Sequence, residues 1–131
     1  MRPQMKILLV DSDGKFRRLI RETILRHYRN IQVEEAPNRT VALQHLIEFR
    51  PELILTEIDM QGHRSLDLLR RMRQASPESA IAVLTSYDQK EYQRSTLRSG
   101  AHYFISKVQA NSKIIRNVID SELARTIPNS D

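Results

Sequence analysis

Reactive side chains follow apolar runs at four places in this chain. Lys6–Val10 (KILLV) runs into Asp11-Ser12-Asp13, and Leu53–Ile58 (LILTEI) carries Glu57 and is followed by Asp59. Ala80–Thr85 (AIAVLT) ends on Thr85 with Ser86 behind it, and His102–Ile105 (HYFI) leads to Ser106 and Lys107. The set is carboxylates, hydroxyls and one ammonium. Oxygen ligands of this kind hold a hard cation such as Mg2+, and a lysine can pair with phosphate oxygens, so convergence of these ends would suit metal-assisted phosphoryl chemistry. A solvated rim closed by a salt bridge is the plainer alternative. His27, His45 and His102 show no metal-ligand spacing. His63 lies in the loop after Glu57, where it either reaches the rim or sits on the surface.

Convergence depends on the elements between. Short continuous apolar runs read as strands buried on both faces: the three strong runs above, with Ile31–Ala36 (IQVEEA) and His102–Ile105 as weaker ones. Between them, apolar residues recur at helical spacing. Phe16, Leu19, Ile20, Ile24 and Tyr28 share one side of the first such stretch, opposite Arg17, Arg18, Arg21 and Glu22. Val41, Ala42, Leu46 and Phe49 mark the second, and Leu66, Leu69 and Met72 the third. Gln89–Ser99 is polar, and Ile114, Ile115, Val118, Ile119 and Leu123 mark the last. Asn38 and Ser112 stand where N-caps belong, Pro51 and Pro77 where helices have stopped, and Gly100 where a helix closes. Alternating strands and helices predict an α/β fold: a doubly wound five-stranded parallel sheet with five helices, in three αβα layers. In such sheets the site lies beyond the carboxyl ends of the strands, at the switch point in strand order.

Composition excludes several classes. The 131 residues suit one domain and contain no cysteine, so neither a disulfide framework nor a thiolate metal site is available. No apolar run approaches the roughly 20 residues of a membrane span, and the start of the chain lacks a secretory h-region. A cytoplasmic protein without membrane contact is the expectation. The net charge of +5 invites a nucleic-acid reading, but the arginines are scattered over several helices, densest in the first (Arg17, Arg18, Arg21, Arg26, Arg29). There is no recognition-helix motif and no aromatic platform, so no direct nucleic-acid contact by this domain is expected. A nucleotide site would need a glycine-rich phosphate loop, and none is present.

Five segments in order carry a family resemblance: KILLVDSD, APNRTVALQHL, PELILTEIDMQG, AIAVLTSYD and SGAHYFISKV. Together they resemble the receiver domain of two-component response regulators, over about Met5 to Leu123. The resemblance implies a flavodoxin-like sheet of order 2-1-3-4-5, a receiver unit over residues 5–126, and a tail or linker over 127–131. It implies roles for four matching residues: Asp11 as first member of the acidic pair, Thr85 as the hydroxyl that senses a phosphoryl group, Lys107 as the lysine that contacts it, and Phe104 as the switch aromatic beside Tyr103. Met60 sets the register that puts Glu57, rather than Asp59, at the phosphoacceptor position.

Several positions depart from the family pattern. Glu57 replaces the acceptor Asp, Ser12 the second acid of the pair, Val108 and Gln61 two prolines, and Arg39 a glycine. Glu adds a methylene, and a displacement of about 1 Å can cost on the order of 100-fold in rate. A neutral Ser12 hydroxyl does little to draw Mg2+ out of water. Asp13 either turns in to hold the cation with Asp11 and Asp59 or caps the first helix. Glu57 can also pair with Lys107, as a partial mimic of the phosphorylated state or as a plain bridge.

The resulting expectation is a non-enzymatic receiver domain of a phosphorelay, independent of phosphorylation or weakly phosphorylated, that signals through protein contacts. Its partners would be a sensor kinase and an output domain or protein. The resemblance implies a contact face on the fourth helix, fifth strand and fifth helix, where Lys90, Arg94 and Arg98 form a basic stripe that can dock an acidic partner or a second copy of the chain. The alternatives are a working Mg2+-dependent acceptor using Asp59 or Glu57, and a domain of a DNA-binding regulator whose output domain lies elsewhere.

Overall fold

Strands and helices alternate as the pattern requires, with one insertion. In chain order they are β1 (Met5–Val10), α1 (Gly14–His27), β2 (Ile31–Ala36), α2 (Arg39–Glu48), β3 (Leu53–Thr56), β4 (Asp59–Met60), β5 (His63–Arg64), α3 (Asp67–Ala75), β6 (Ala80–Thr85), α4 (Lys90–Arg98), β7 (Tyr103–Ser106) and α5 (Ser112–Thr126). The computed structural model describes residues 3–60, 63, 64 and 66–126, with backbone alone at 63, 64 and 126. The expected tail over 127–131 and Gln61 lie outside the described residues.

Five strands form one parallel sheet in the order β2-β1-β3-β6-β7. This is the expected order 2-1-3-4-5 once β4 and β5 are set aside, because they pair only with each other in an antiparallel hairpin. That hairpin is absent from the sequence reading.

Alternation along the strands decides the layers. Met5, Ile7, Leu9, Leu53, Leu55, Ala82 and Leu84 pack with Ile20 and Ile24 of α1 and with Ile115, Val118 and Ile119 of α5. Leu8, Val10, Ile54, Ile81 and Val83 pack instead with Ala42 and Leu46 of α2 and with Leu68, Leu69 and Met72 of α3, and Tyr92 of α4 joins that cluster from its edge. Both faces of the central strands are therefore apolar, which is why those strands read as unbroken hydrophobic runs.

The boundaries correct four expectations. The third strand stops at Thr56 rather than Ile58, because its register with β1 ends at Val10 and Thr56. The last strand is shifted by one residue, since His102 Nδ1 accepts the Ile81 N–H at 3.0 Å from just outside the ladder. Leu19 is 58% exposed and does not belong to the buried side of α1. Ser112 is the first residue of α5 rather than its cap; the side chain of Asn111 accepts the Ile114 N–H at 2.9 Å instead. The cap at Asn38 is as expected, with its side chain on the Val41 N–H at 2.9 Å.

Candidate functional site

The order of the sheet reverses between β1 and β3: the chain goes from β1 outward to β2, then returns to the other side of β1. Loops leaving the two strands diverge there and open a crevice. Register sets what stands at its mouth. Val10 lies opposite Thr56, so the next residues, Asp11 and Glu57, are neighbours. The Glu57 N–H donates to the Val10 carbonyl at 2.8 Å, and the Asp11 N–H to the Ala36 carbonyl at 3.1 Å, which carries the ladder one residue past each strand. On the other side, β6 ends on Thr85, whose carbonyl accepts the Lys107 N–H at 2.9 Å.

Five side chains at this mouth act on one another: Asp11, Glu57, Asp59, Thr85 and Lys107. Asp11 is 5% exposed and Thr85 is fully buried. Lys107 Nζ lies 2.7 Å from Asp11 Oδ2 and 4.6 Å from the centre of the Phe16 ring on α1. Asp11 Oδ1 accepts the Asp13 N–H at 2.9 Å, and Arg17 donates to the Asp11 carbonyl at 2.5 Å while pairing with Glu35 at 2.8 Å. Asp11 is thus held through both carboxylate oxygens and through its backbone.

This corrects the expected Glu57–Lys107 pair: the ammonium is on Asp11. Glu57 is 6% exposed, and its Oε2 is buried without a hydrogen-bond partner. Burial pushes the Glu57 carboxyl up to about 7. The nearby Lys107 ammonium pulls it down, the Asp11 carboxylate pushes it up, a hydrogen bond from Thr85 pulls it down and Asp59 pushes it up. Desolvation outweighs the ammonium because Lys107 is not in contact with Glu57.

Asp13 and Asp59, the two remaining acids of the expected cation set, do not complete a three-acid cluster with Asp11 among the described residues. Asp13 Oδ1 caps α1, taking the Lys15 N–H at 3.1 Å and the Phe16 N–H at 3.2 Å. Its carboxylate serves the helix and is exposed. Asp59 is half-buried at the start of the β4–β5 hairpin. Among the described residues, no three His, Cys, Asp or Glu side chains stand close enough to hold a cation. Asp11 is neutralised by an ammonium and Ser12 is an exposed hydroxyl. This donor arrangement does not fit Mg2+. The side chain of His63 lies outside the described residues.

Thr85 and Phe104, expected as a switch pair, sit beside this centre. The Thr85 hydroxyl accepts the Tyr87 N–H at 3.1 Å. Phe104 is half-buried, edge-on to the Tyr92 ring at 6.1 Å, and Tyr92 is edge-on to Tyr87 at 6.2 Å. Tyr103 faces the other side of the sheet, where its hydroxyl donates to the buried Glu122 at 2.5 Å. Ser86 is exposed, and so are Lys90, Arg94 and Arg98; these three basic residues make no ion pair among the described residues.

Sequence reasoning missed Phe16, Arg17 and Tyr87 as parts of the site. Phe16 read as an ordinary core position of an amphipathic helix. Its place in the first turn, five residues after Asp11, is the signal that puts its ring above the mouth.

The family model described as "Response regulator receiver domain" matches residues 7–119. Curated relatives include the transcriptional activator protein ExaE of Pseudomonas putida, 29% identical over 87% of this chain and 53% of that protein. Another is the oxygen regulatory protein NreC of Staphylococcus epidermidis, 28% identical over 85% of this chain and 51% of that protein. The chain spans about half the length of these relatives. In fold it is similar to a two-component response regulator from Clostridium difficile, with a TM-score of 0.85 at 20% identity over 95% of this chain and 99% of that one. It is also similar to a CheY-like receiver domain protein from Methanospirillum hungatei JF-1, with a TM-score of 0.81 at 22% identity over 92% of this chain and 94% of that one. With a family match across 7–119, and with Asp11, Glu57, Thr85 and Lys107 brought to one mouth of a sheet of order β2-β1-β3-β6-β7, the chain belongs to the response regulator receiver domains.

Proposed function

We propose that this receiver domain signals through protein contacts without depending on phosphoryl transfer to Glu57. One observation carries the reading: the carboxylate at the acceptor position is buried, with Oε2 unpartnered, while the ammonium that would meet an incoming phosphoryl group is held by Asp11 and Phe16. An acceptor must be aligned with phosphorus and its developing charge neutralised. Receiver domains as a class use Mg2+ at this rim; here Asp13 serves as a helix cap and Ser12 contributes no charge. Departure at the acceptor and departure at the cation site point the same way.

The receiver unit spans 5–126 in this reading, is non-enzymatic and works in the cytoplasm. Its partners are a sensor kinase and an output domain or protein, and the face built on α4, β7 and α5 carries the contact, with Lys90, Arg94 and Arg98 toward an acidic partner or a second copy. Two named relatives are a transcriptional activator and an oxygen regulatory protein, each about twice as long as the matched segment. Their names favour an output in gene regulation, with DNA contact left to a segment other than this domain.

The test is intact mass after incubation with acetyl phosphate and Mg2+, beside a variant carrying both Glu57→Asp and Ser12→Asp. The expected result is no mass gain for the natural chain and a phosphoryl mass for the double variant. A phosphoryl mass on the natural chain would sink the proposal, and mapping would assign it to Glu57 or Asp59.

A further inference from the structure

Beside the rim, a pocket of about 210 Å3 opens between the start of α4 and the end of β7, lined by Asp88, Gln93, Phe104, Ser106 and Gln109. Its chemistry differs from that of the surface around it. The chain carries a net charge of +5, and Lys90, Arg94 and Arg98 run along the neighbouring helix, yet among the described residues no cation lines this pocket. The Asp88 carboxylate has no ion-pair partner among the described residues. The Ser106 hydroxyl, on a residue 7% exposed, donates to Asp88 Oδ2 at 3.3 Å, which aims the carboxylate and leaves the hydroxyl as an acceptor. Gln93 and Gln109 add two carboxamide oxygens, and Phe104, braced by Tyr92, closes the wall behind them.

The lining selects its ligand by elimination. An anion would meet Asp88. A divalent cation would find a single carboxylate, too few charged oxygens to displace its water. An apolar molecule would bury the carboxylate and both amides without partners. A planar cation with several N–H donors satisfies every polar group at once: it can bond the carboxylate through two N–H groups and give its remaining protons to the amide oxygens. A lysine ammonium is compact and more strongly hydrated, and meets fewer of these acceptors.

We propose that the pocket lined by Asp88, Gln93, Phe104, Ser106 and Gln109 is a binding site for a guanidinium group, borne by an arginine side chain. It stands whether or not Glu57 accepts a phosphoryl group, because none of its contacts passes through the rim acids.

The test is a titration of the full chain with N-acetylarginine amide, followed through backbone 1H–15N shifts. N-acetylcitrulline amide, the neutral isostere, is the control. Saturable shifts at Asp88, Gln93, Phe104, Ser106 and Gln109 are expected for arginine, with citrulline binding at least about tenfold more weakly. Asp88→Asn should weaken arginine binding by about tenfold and leave citrulline unchanged. Asp88 is exposed in a loop, so an unchanged spectrum elsewhere verifies that the variant folds, and Gln109→Ala gives a second, smaller loss. Equal binding of arginine and citrulline, or arginine shifts indifferent to Asp88→Asn, would overturn the proposal. A concentration dependence of the same resonances that Arg94→Ala abolishes would identify a second copy as the donor; its absence, with probe binding intact, would assign the pocket to a separate ligand. Either result supports the site.

Discussion

Lys107 pairs with Asp11, 2.7 Å away, under the ring of Phe16, and Glu57 is left beside that pair without joining it. Both partners of the ion pair are largely buried, with side-chain exposures of 17% and 7%. Removing one partner of such a pair ordinarily costs about 3 kcal/mol, because the other is left as an uncompensated charge. Here a second carboxylate is at hand. In Asp11→Asn the ammonium has Glu57 as its remaining acid, and the like-charge repulsion from Asp11 is gone. The expected loss of stability is therefore smaller, about 1–2 kcal/mol. The Glu57 carboxyl should move down from about 7 toward the ordinary range, since both changes favour its ionised form. A carbon-13 titration of the Glu57 carboxyl in both proteins reads this directly. An unmoved titration would mean that Lys107 stays on Phe16 and away from Glu57.

The same carboxyl makes stability depend on pH with a defined sign. Its value is raised from 4.5 to about 7, so the folded state binds a proton more tightly than the unfolded one. Stability from this group is fully present below about 4.5 and is lost as pH rises through 7. The difference is on the order of 2–3 kcal/mol. Glu57→Gln keeps the shape and removes the titration. In urea denaturation, the variant should gain on the natural chain by that amount between pH 5 and pH 8. Parallel stability curves would refute it.

The helix caps decide between the two roles the sequence left open for Asp13, cation ligand and cap of α1. Asp13→Ala should cost about 1 kcal/mol, the usual worth of an N-cap, whether or not Mg2+ is added. A stability loss that appears only with Mg2+ present would instead make Asp13 a cation ligand. At the other end of the chain, Asn111→Ala should cost about 1 kcal/mol and Ser112→Ala only a few tenths, because the Asn111 side chain holds the Ile114 N–H. Thermal denaturation of the two variants ranks them.

How far the sequence could be read follows from what each signal measures. Apolar runs and helical spacing report burial, and burial is what builds the sheet, so among the described residues the five strands of the main sheet and every helix but the polar α4 were legible that way; α4 rested on its place between two strands and on Gly100 at its end. The β4–β5 hairpin is two residues a side, too short for any periodicity, and was not. The acids at the strand ends were legible as a group because the parallel sheet delivers its carboxyl ends to one edge. Their pairing was not: whether Lys107 meets Asp11 or Glu57 depends on an aromatic ring from α1 and on a side chain one methylene longer than Asp. Ser112 and Asn111 are both good caps at adjacent positions, and only the backbone geometry chooses between them. Leu19 shows the limit of a helical wheel, since a position on the edge of the apolar stripe can end up in solvent.

Gly100 gives the sharpest test of the packing around the carboxyl end of α4. Its φ is +124°, a conformation that L side chains rarely adopt. A Cβ built there would clash with Arg73 Cγ and meet Cδ at 2.9 Å. Arg73 is held in place by its bond to the Pro77 carbonyl, in the loop after α3, at 3.0 Å. Gly100→Ala therefore combines backbone strain with a clash, and should cost at least about 2 kcal/mol. The two causes can be told apart, because Arg73 is a flexible side chain and the backbone is not. In an Arg73→Ala background the clash is gone and the φ strain stays, so the cost of Gly100→Ala should drop to about 1 kcal/mol without vanishing. Urea denaturation of the four proteins of the cycle gives the partition. An identical cost in both backgrounds would show that Arg73 moves aside freely and that the backbone alone requires glycine.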